Sequence, residues 1–137
     1  QCYLPNPMLL SGFKFDLRLY VIITRAAPLR AYLSRRGVAR FATHTWHPVS
    51  ASNQHDTLMH LSNSSINQLA QGKSNKQGLP ALWRDMERVG IDSALAWRHI
   101  TRLVGLTIAA MAPAFAHAHA TAFHGVARTG GRGVRDA

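Results

Sequence analysis

Alternation of apolar and polar positions is strongest near the start of the chain. In Gly12–Ile23, Phe13, Phe15, Leu17 and Leu19 fall on one face of a β-strand, and Lys14, Asp16 and Arg18 on the other. The three charged residues then stand in a row about 6–7 Å apart, at a rise of roughly 3.3 Å per residue. Val21–Ile23 is continuously apolar, as in a strand covered on both faces. Two readings satisfy the row: a solvated charge ladder on a half-exposed strand, or a charged face turned to a ligand. Periodicity does not separate them.

Around this strand the pattern predicts an α+β chain. Gln1–Leu4 reads as the end of a strand, stopped by Pro5-Asn6-Pro7. Ala26-Ala27-Pro28 marks a turn. Leu29–Ser34 and Val38–Thr43 predict a hairpin around Arg35-Arg36-Gly37, with Val38, Arg40 and Ala42 on one face of its second arm. His44–Thr57 reads as a polar loop and Gln71–Gly78 as a mobile surface loop. Helical spacing then takes over. Leu79, Leu82, Trp83 and Met86 form a stripe, with Pro80 in the first turn and Gly90 at the stop. Asp92 suits the cap of a second helix. Its stripe runs Leu95, Ala96, His99, Ile100, Leu103, Val104, Thr107, Ile108 and Met111, and is expected to end at Pro113. Ala112–Ala137 changes composition to alanine, histidine, glycine and arginine. It suits a misread gene end and predicts a disordered tail.

Length and charge narrow the partners. At 137 residues the chain holds at most one domain, and it opens on Gln1 rather than Met, which points to an upstream start. Its formal net charge of +10 favours an acidic partner. A basic nucleic-acid-binding module is the reading from another class. It lacks interleaved aromatics and a recognisable motif, so no nucleic acid is expected. The single cysteine, Cys2, excludes a disulfide framework. Leu103–Ala116 is shorter than the roughly 20 residues that a membrane span needs. A soluble intracellular chain with no membrane partner is therefore expected. His44, His47, His55 and His60 raise zinc, but their spacing fits no standard site, and His117, His119 and His124 offer composition only. No metal ligand is assigned.

Four blocks in order carry a family resemblance. Lys14-Phe15-Asp16-Leu17-Arg18 resembles the K-F-D-[LI]-R signature of the tubulin–tyrosine ligase-like family, which are ATP-grasp amino-acid ligases. Tyr20–Thr24 with Pro28-Leu29-Arg30, Gly37–Thr43, and His60-Leu61-Ser62-Asn63-Ser64-Ser65-Ile66-Asn67 follow the family pattern in turn. The resemblance covers residues 1–111, implying a partial ATP-grasp domain there and a non-homologous tail over 112–137. The implied fold is a fragment of an ATP-grasp fold: central antiparallel strands followed by two helices.

The resemblance also implies roles. ATP would meet Gln1, Cys2, Tyr3 and Leu4 at the adenine edge, and Lys14, Asp16, Ser62 and Asn63 elsewhere. Arg18 would steady the transferring phosphoryl group or the acyl phosphate. Arg40 would grip the incoming amino acid's carboxylate, in a pocket shared with Ser64, Ser65 and Lys76. Ser64 stands where many members carry an aromatic residue, and Gln68 replaces a common lysine. Mg²⁺ is implied too, but the tail lacks the E-[VI]-N segment that would hold it. The implied partners are ATP, an amino acid (glutamate first) and acidic tubulin tails. The implied location is the cytoplasmic microtubule cytoskeleton, with cilia and basal bodies in range. A fragment silent on its own is expected, and a non-catalytic remnant or pseudoenzyme is the alternative.

Overall fold

Ser11 and Gly12 adopt positive φ of 53° and 83°. Two consecutive positive φ values make the tight turn whose twist suits a two-residue hairpin. The turn joins β1 (Leu9–Leu10) to β2 (Phe13–Ala26), and the two pair antiparallel with Leu9 opposite Lys14 and Leu10 opposite Phe13. This computed structural model describes residues 2–71 and 75–127, the side chains of 68–71 and 123–127 excepted.

β3 (Leu29–Phe41) follows after Ala27-Pro28, the turn expected there. The expected second hairpin around Arg35-Arg36-Gly37 does not form, and β3 runs straight through it. Gly37 serves the sheet and not a turn. A Cβ there would lie 2.6 Å from the Arg18 carbonyl oxygen and 2.9 Å from Leu79 Cδ1. Glycine is therefore needed because a neighbouring strand and a helix approach its backbone closely.

β4 (Lys76–Gly78) adds to the other edge of β3, antiparallel, with Arg40 opposite Lys76 and Val38 opposite Gly78. The strand order is β1-β2-β3-β4. The expected Gln71–Gly78 loop is thus a strand over its last three residues, and residues 72–74 lie outside the described residues. Asn75 explains the pairing: its carbonyl accepts from Phe41 N at 2.9 Å, and its Nδ2 donates to Phe41 O at 2.8 Å. At the other end, Cys2–Leu4 is not in a strand, and Gln1 lies outside the described residues. Pro5 and Pro7 bring no N–H to a ladder, and pairing starts only at Leu9.

The described residues fall into two units. The first comprises residues 1–20 and 34–96. Its short helices α1 (Thr57–His60) and α2 (Ser64–Gln71) follow the polar loop, and α3 (Leu79–Arg88) follows β4. Pro80 sits in the first turn of α3, and Gly90 just beyond its end takes φ +80°. Leu79, Leu82 and Met86 are buried, together with Leu10, Ala39, Ala42 and Met59. The predicted stripe of α3 is thus the helical side of this unit's core.

The second unit comprises residues 21–33 and 97–137. Most of α4 (Ser93–Ala127) belongs to it. Val104 and Ile108 of α4 line a groove of about 360 Å³ with Val21, Leu29 and Leu33. α4 does not end at Pro113: it carries the proline inside and continues to Ala127. Proline costs about 3 kcal/mol in a helix interior. Alanine, the best helix former, flanks it at 109, 110, 112, 114, 116, 118, 120 and 122, and favours continuation. Residues 112–127, expected in a disordered tail, are therefore helical, and 128–137 lie outside the described residues. Unbroken, Ser93–Ala122 is long and apolar enough to cross a membrane by length and composition, where the shorter Leu103–Ala116 run was not.

Candidate functional site

The row on β2 meets its partners within the first unit. Asp16 receives one edge of the Arg40 guanidinium: Nε donates to Oδ1 at 2.8 Å and Nη2 to Oδ2 at 2.9 Å. The Ser62 hydroxyl also donates to Oδ2. The hydrogen bond to Asp16 is the main reason that Arg40 holds its proton above the usual arginine range. Guanidinium has five N–H groups, so the pair leaves the end-on edge, Nη1 and Nη2, for a second carboxylate.

Lys76 stands opposite Arg40 in the β3–β4 pairing. Directly opposed residues share a sheet face, with Cβ atoms about 4.5–5.5 Å apart. Asp16, Arg40 and Lys76 therefore form one row across three strands. Lys76 had been expected in a loop. A strand holds it beside Arg40 instead.

Lys14 lies two residues before Asp16 and has different partners. Its Nζ donates to the His60 carbonyl at 2.7 Å and to Tyr3 Oη at 3.5 Å, and sits 4.5 Å from the centre of the Tyr3 ring. Tyr3 and His60 line a cavity of about 500 Å³ with Pro5, Val49 and Leu61. Arg18, the third charge of the row, is exposed.

The segment from His44 to Asn67 brings Ser62 and His60 to the sheet. Asp56 caps α1, accepting from the N–H groups of Leu58 and Met59, and its other oxygen takes His44 Nδ1 at 2.8 Å. That bond, with the two backbone donors in support, holds the Asp56 carboxyl below the usual carboxylate range. Thr43 N and His44 N both donate to Leu58 O, which ties α1 to the end of β3. Asn67 completes the tie. It is buried, takes the Thr43 hydroxyl on Oδ1, and donates from Nδ2 to the carbonyls of Leu61 and Asn63.

The remaining expected residues are placed as follows. Ser62 is buried, whereas the Asn63 side chain is exposed, and the Asn63 carbonyl starts α2 by accepting from Ile66 N and Asn67 N. Ser64 is half-buried with no hydrogen-bond partner for Oγ, and Ser65 is exposed. Cys2 and Leu4 are exposed. Sequence reasoning missed three residues that organise the site. His60 opens the H-L-S-N-S-S-I-N block and raised zinc, but it was given no role at the site. Asn67 closes the H-L-S-N-S-S-I-N block, four residues after Asn63, which is one helical turn. Asn75 carried no signal beyond a polar stretch.

Among the described residues no three of His, Cys, Asp and Glu gather as a metal site. Both Asp16 oxygens are already engaged. The residues described here do not fit a Mg²⁺ ion.

A family model described as the tubulin-tyrosine ligase family matches residues 1–125. The chain belongs to that family. The match passes Met111, where the sequence motifs had run out. Among its relatives are the tubulin polyglutamylase TTLL6 of Mus musculus, 33% identical over 90% of this chain, and the tubulin monoglutamylase TTLL4 of Mus musculus, 38% identical over 82%. A probable beta-tubulin polyglutamylase of Tetrahymena thermophila is 35% identical over 85% of the chain. The chain spans 16%, 10% and 11% of the length of these three relatives.

Proposed function

We propose that this chain is a substrate-gripping part of an ATP-dependent ligase that adds glutamate to the acidic tails of tubulin. The observation that carries the reading is the row Asp16–Arg40–Lys76. Asp16 holds one edge of Arg40, and Lys76 stands opposite Arg40 in the strand pairing. Two neighbouring cations with one anchored guanidinium suit a dicarboxylic amino acid better than tyrosine or glycine. The names of the relatives, all glutamylases of tubulin, support the same choice.

In this reading Lys14 meets the phosphates of ATP, and the cavity beside Tyr3 and His60 takes its base. Cys2 and Leu4 flank that base, and Ser62 and Asn63 lie toward the phosphates. Arg18 is free to swing toward the γ-phosphate as an acceptor carboxylate becomes an acyl phosphate. The amine of glutamate then attacks the acyl carbon, forming the amide bond and releasing inorganic phosphate and a proton, with Arg40 and Lys76 on its carboxylates and Ser64 and Ser65 at the pocket wall. ATP supplies the activating phosphoryl group. No step runs through Mg²⁺, because the described residues do not fit it. The setting is the microtubule cytoskeleton of the cytoplasm, and cilia and basal bodies belong to the same proposal. The formal charge of +10 suits an acidic tail.

The second reading is a chain that binds these ligands without catalysis; among the described residues no three carboxylate, histidine or cysteine side chains gather. Two measurements decide. Titration of the isotope-labelled chain with glutamate, tyrosine and glycine should shift Arg40 and Lys76 signals with glutamate foremost; equal shifts for all three would reject glutamate. Incubation of the chain with ATP, Mg²⁺, labelled glutamate and tubulin should leave tubulin unlabelled. ATP-dependent label above a no-enzyme control would show that the chain catalyses alone.

A further inference from the structure

The hydrogen bonds around His60 leave little freedom in where its proton sits. Nε2 lies 3.0 Å from the Asn53 carbonyl oxygen, which can only accept, so Nε2 carries the hydrogen. In a neutral imidazole the other nitrogen, Nδ1, is then an acceptor. Tyr3 Oη, 2.8 Å away, must donate to it. The hydroxyl has spent its only hydrogen, and its oxygen can accept from Lys14 Nζ at 3.5 Å. With a neutral ring the chain runs one way: Lys14 to Tyr3, Tyr3 to His60, His60 to Asn53.

An imidazolium would reverse the middle link, with Nδ1–H donating to Tyr3 Oη.

We infer that His60 is a positioning residue, present as the neutral Nε2–H tautomer, that aims Lys14. It acts twice. Its carbonyl takes Nζ directly at 2.7 Å, and its ring orients the Tyr3 hydroxyl and so the Tyr3 ring beneath Nζ. The edge-on ring contact, 5.3 Å between centroids and 87° between planes, keeps the two rings in that relation. In this role His60 acts on the phosphates only through Lys14. Its effect on ATP rests on the reading of Lys14 as the phosphate contact; the tautomer and the aim of Lys14 do not.

The test uses the intact 137-residue chain, uniformly ¹⁵N-labelled and without ligand. Long-range ¹H–¹⁵N correlation at neutral pH should give His60 the Nε2–H pattern. An Nδ1–H pattern, or a ring averaging between tautomers, would overturn the inference. Tyr3→Phe keeps the ring and removes the hydroxyl. It should move the His60 Nδ1 shift and raise acylation of Lys14, relative to Lys76, by about 2–10-fold, the equivalent of one hydrogen bond. An unchanged Lys14 rate would overturn the positioning role. ATP affinity should fall by a similar factor in the same variant. If the tautomer and acylation results hold while the wild-type chain fails to bind ATP, the nucleotide reading of Lys14 falls and the positioning role stands.

Discussion

Helices α3 and α4 both carry apolar residues at helical spacing, yet only α3 buries them. Leu79, Leu82 and Met86 are 0%, 0% and 2% exposed, while in α4 Leu103 is 66% and Leu106 61% exposed. The difference lies in what surrounds each stripe. In α3 the apolar positions keep to one face, opposite Arg84, Asp85, Glu87 and Arg88. That face meets the sheet at Gly37, where the backbone has no side chain to hold it off. In α4 small and apolar residues occur all round, so no single face is marked for burial. Only Val104 and Ile108, with their near neighbours, line a groove. A helical period thus announces a helix; a confined stripe with a receptive surface is what buries it.

Substitutions can break this comparison, and the core of the first unit should respond most. Leu82→Ala removes a fully buried side chain and should cost about 2–5 kcal/mol of stability in urea unfolding. A loss no greater than that at an exposed α4 position would erase the distinction. Gly37→Ala tests the receptive surface itself. Its Cβ would press on the Arg18 carbonyl and on Leu79, so a loss of about 1–3 kcal/mol is expected. A neutral result would mean that the α3 packing does not depend on that approach.

Smaller effects belong to the helix starts. Asp92 Oδ1 accepts from Leu95 N at 2.8 Å, and Asp92→Ala should cost α4 about 1 kcal/mol, seen as faster amide exchange in its first turn. Asp56 adds a pH dependence to α1. Its folded carboxyl lies below the ordinary value of 3.8, so its contribution is complete above that pH and is lost as pH falls through the folded value. Asp56→Asn should remove that part of the acid transition, and an unaltered acid profile would count against the cap. Smallest of all, Leu106→Ala on exposed α4 should stay within about 0.5 kcal/mol of the parent. A loss of core size there would show that this face is covered in solution.

Much of the site was legible along the chain because its signals are local. The alternation in Phe13–Leu19 placed Lys14, Asp16 and Arg18 on one face, and that in Val38–Thr43 placed Arg40 apart from Ala39 and Phe41. Pro80, Gly90 and Asp92 punctuated the helices as capping chemistry requires. The failures share a cause too. Gly37 looked like a turn because glycine signals both tight turns and close backbone approach, and only the partner atoms tell which. Pro113 looked like a stop because a proline penalty is local, while its flanking alanines act over several turns.

The long strand at Phe13, the starts of the helices at Leu79 and Ser93, the sides on which the charges of β2 stand and the family signature were determined by the sequence itself. They depend on residue spacing and on residue-by-residue chemistry, which survive without tertiary contacts. Which charges meet was decided only in three dimensions. Asp16 and Arg40 are 24 residues apart, and Ser62 and Lys14 each find a partner 46 residues away. Such pairings follow from strand register and from where a loop returns to the sheet. A one-residue slip in register would turn Arg40 to the other face and dissolve the row with Asp16 and Lys76.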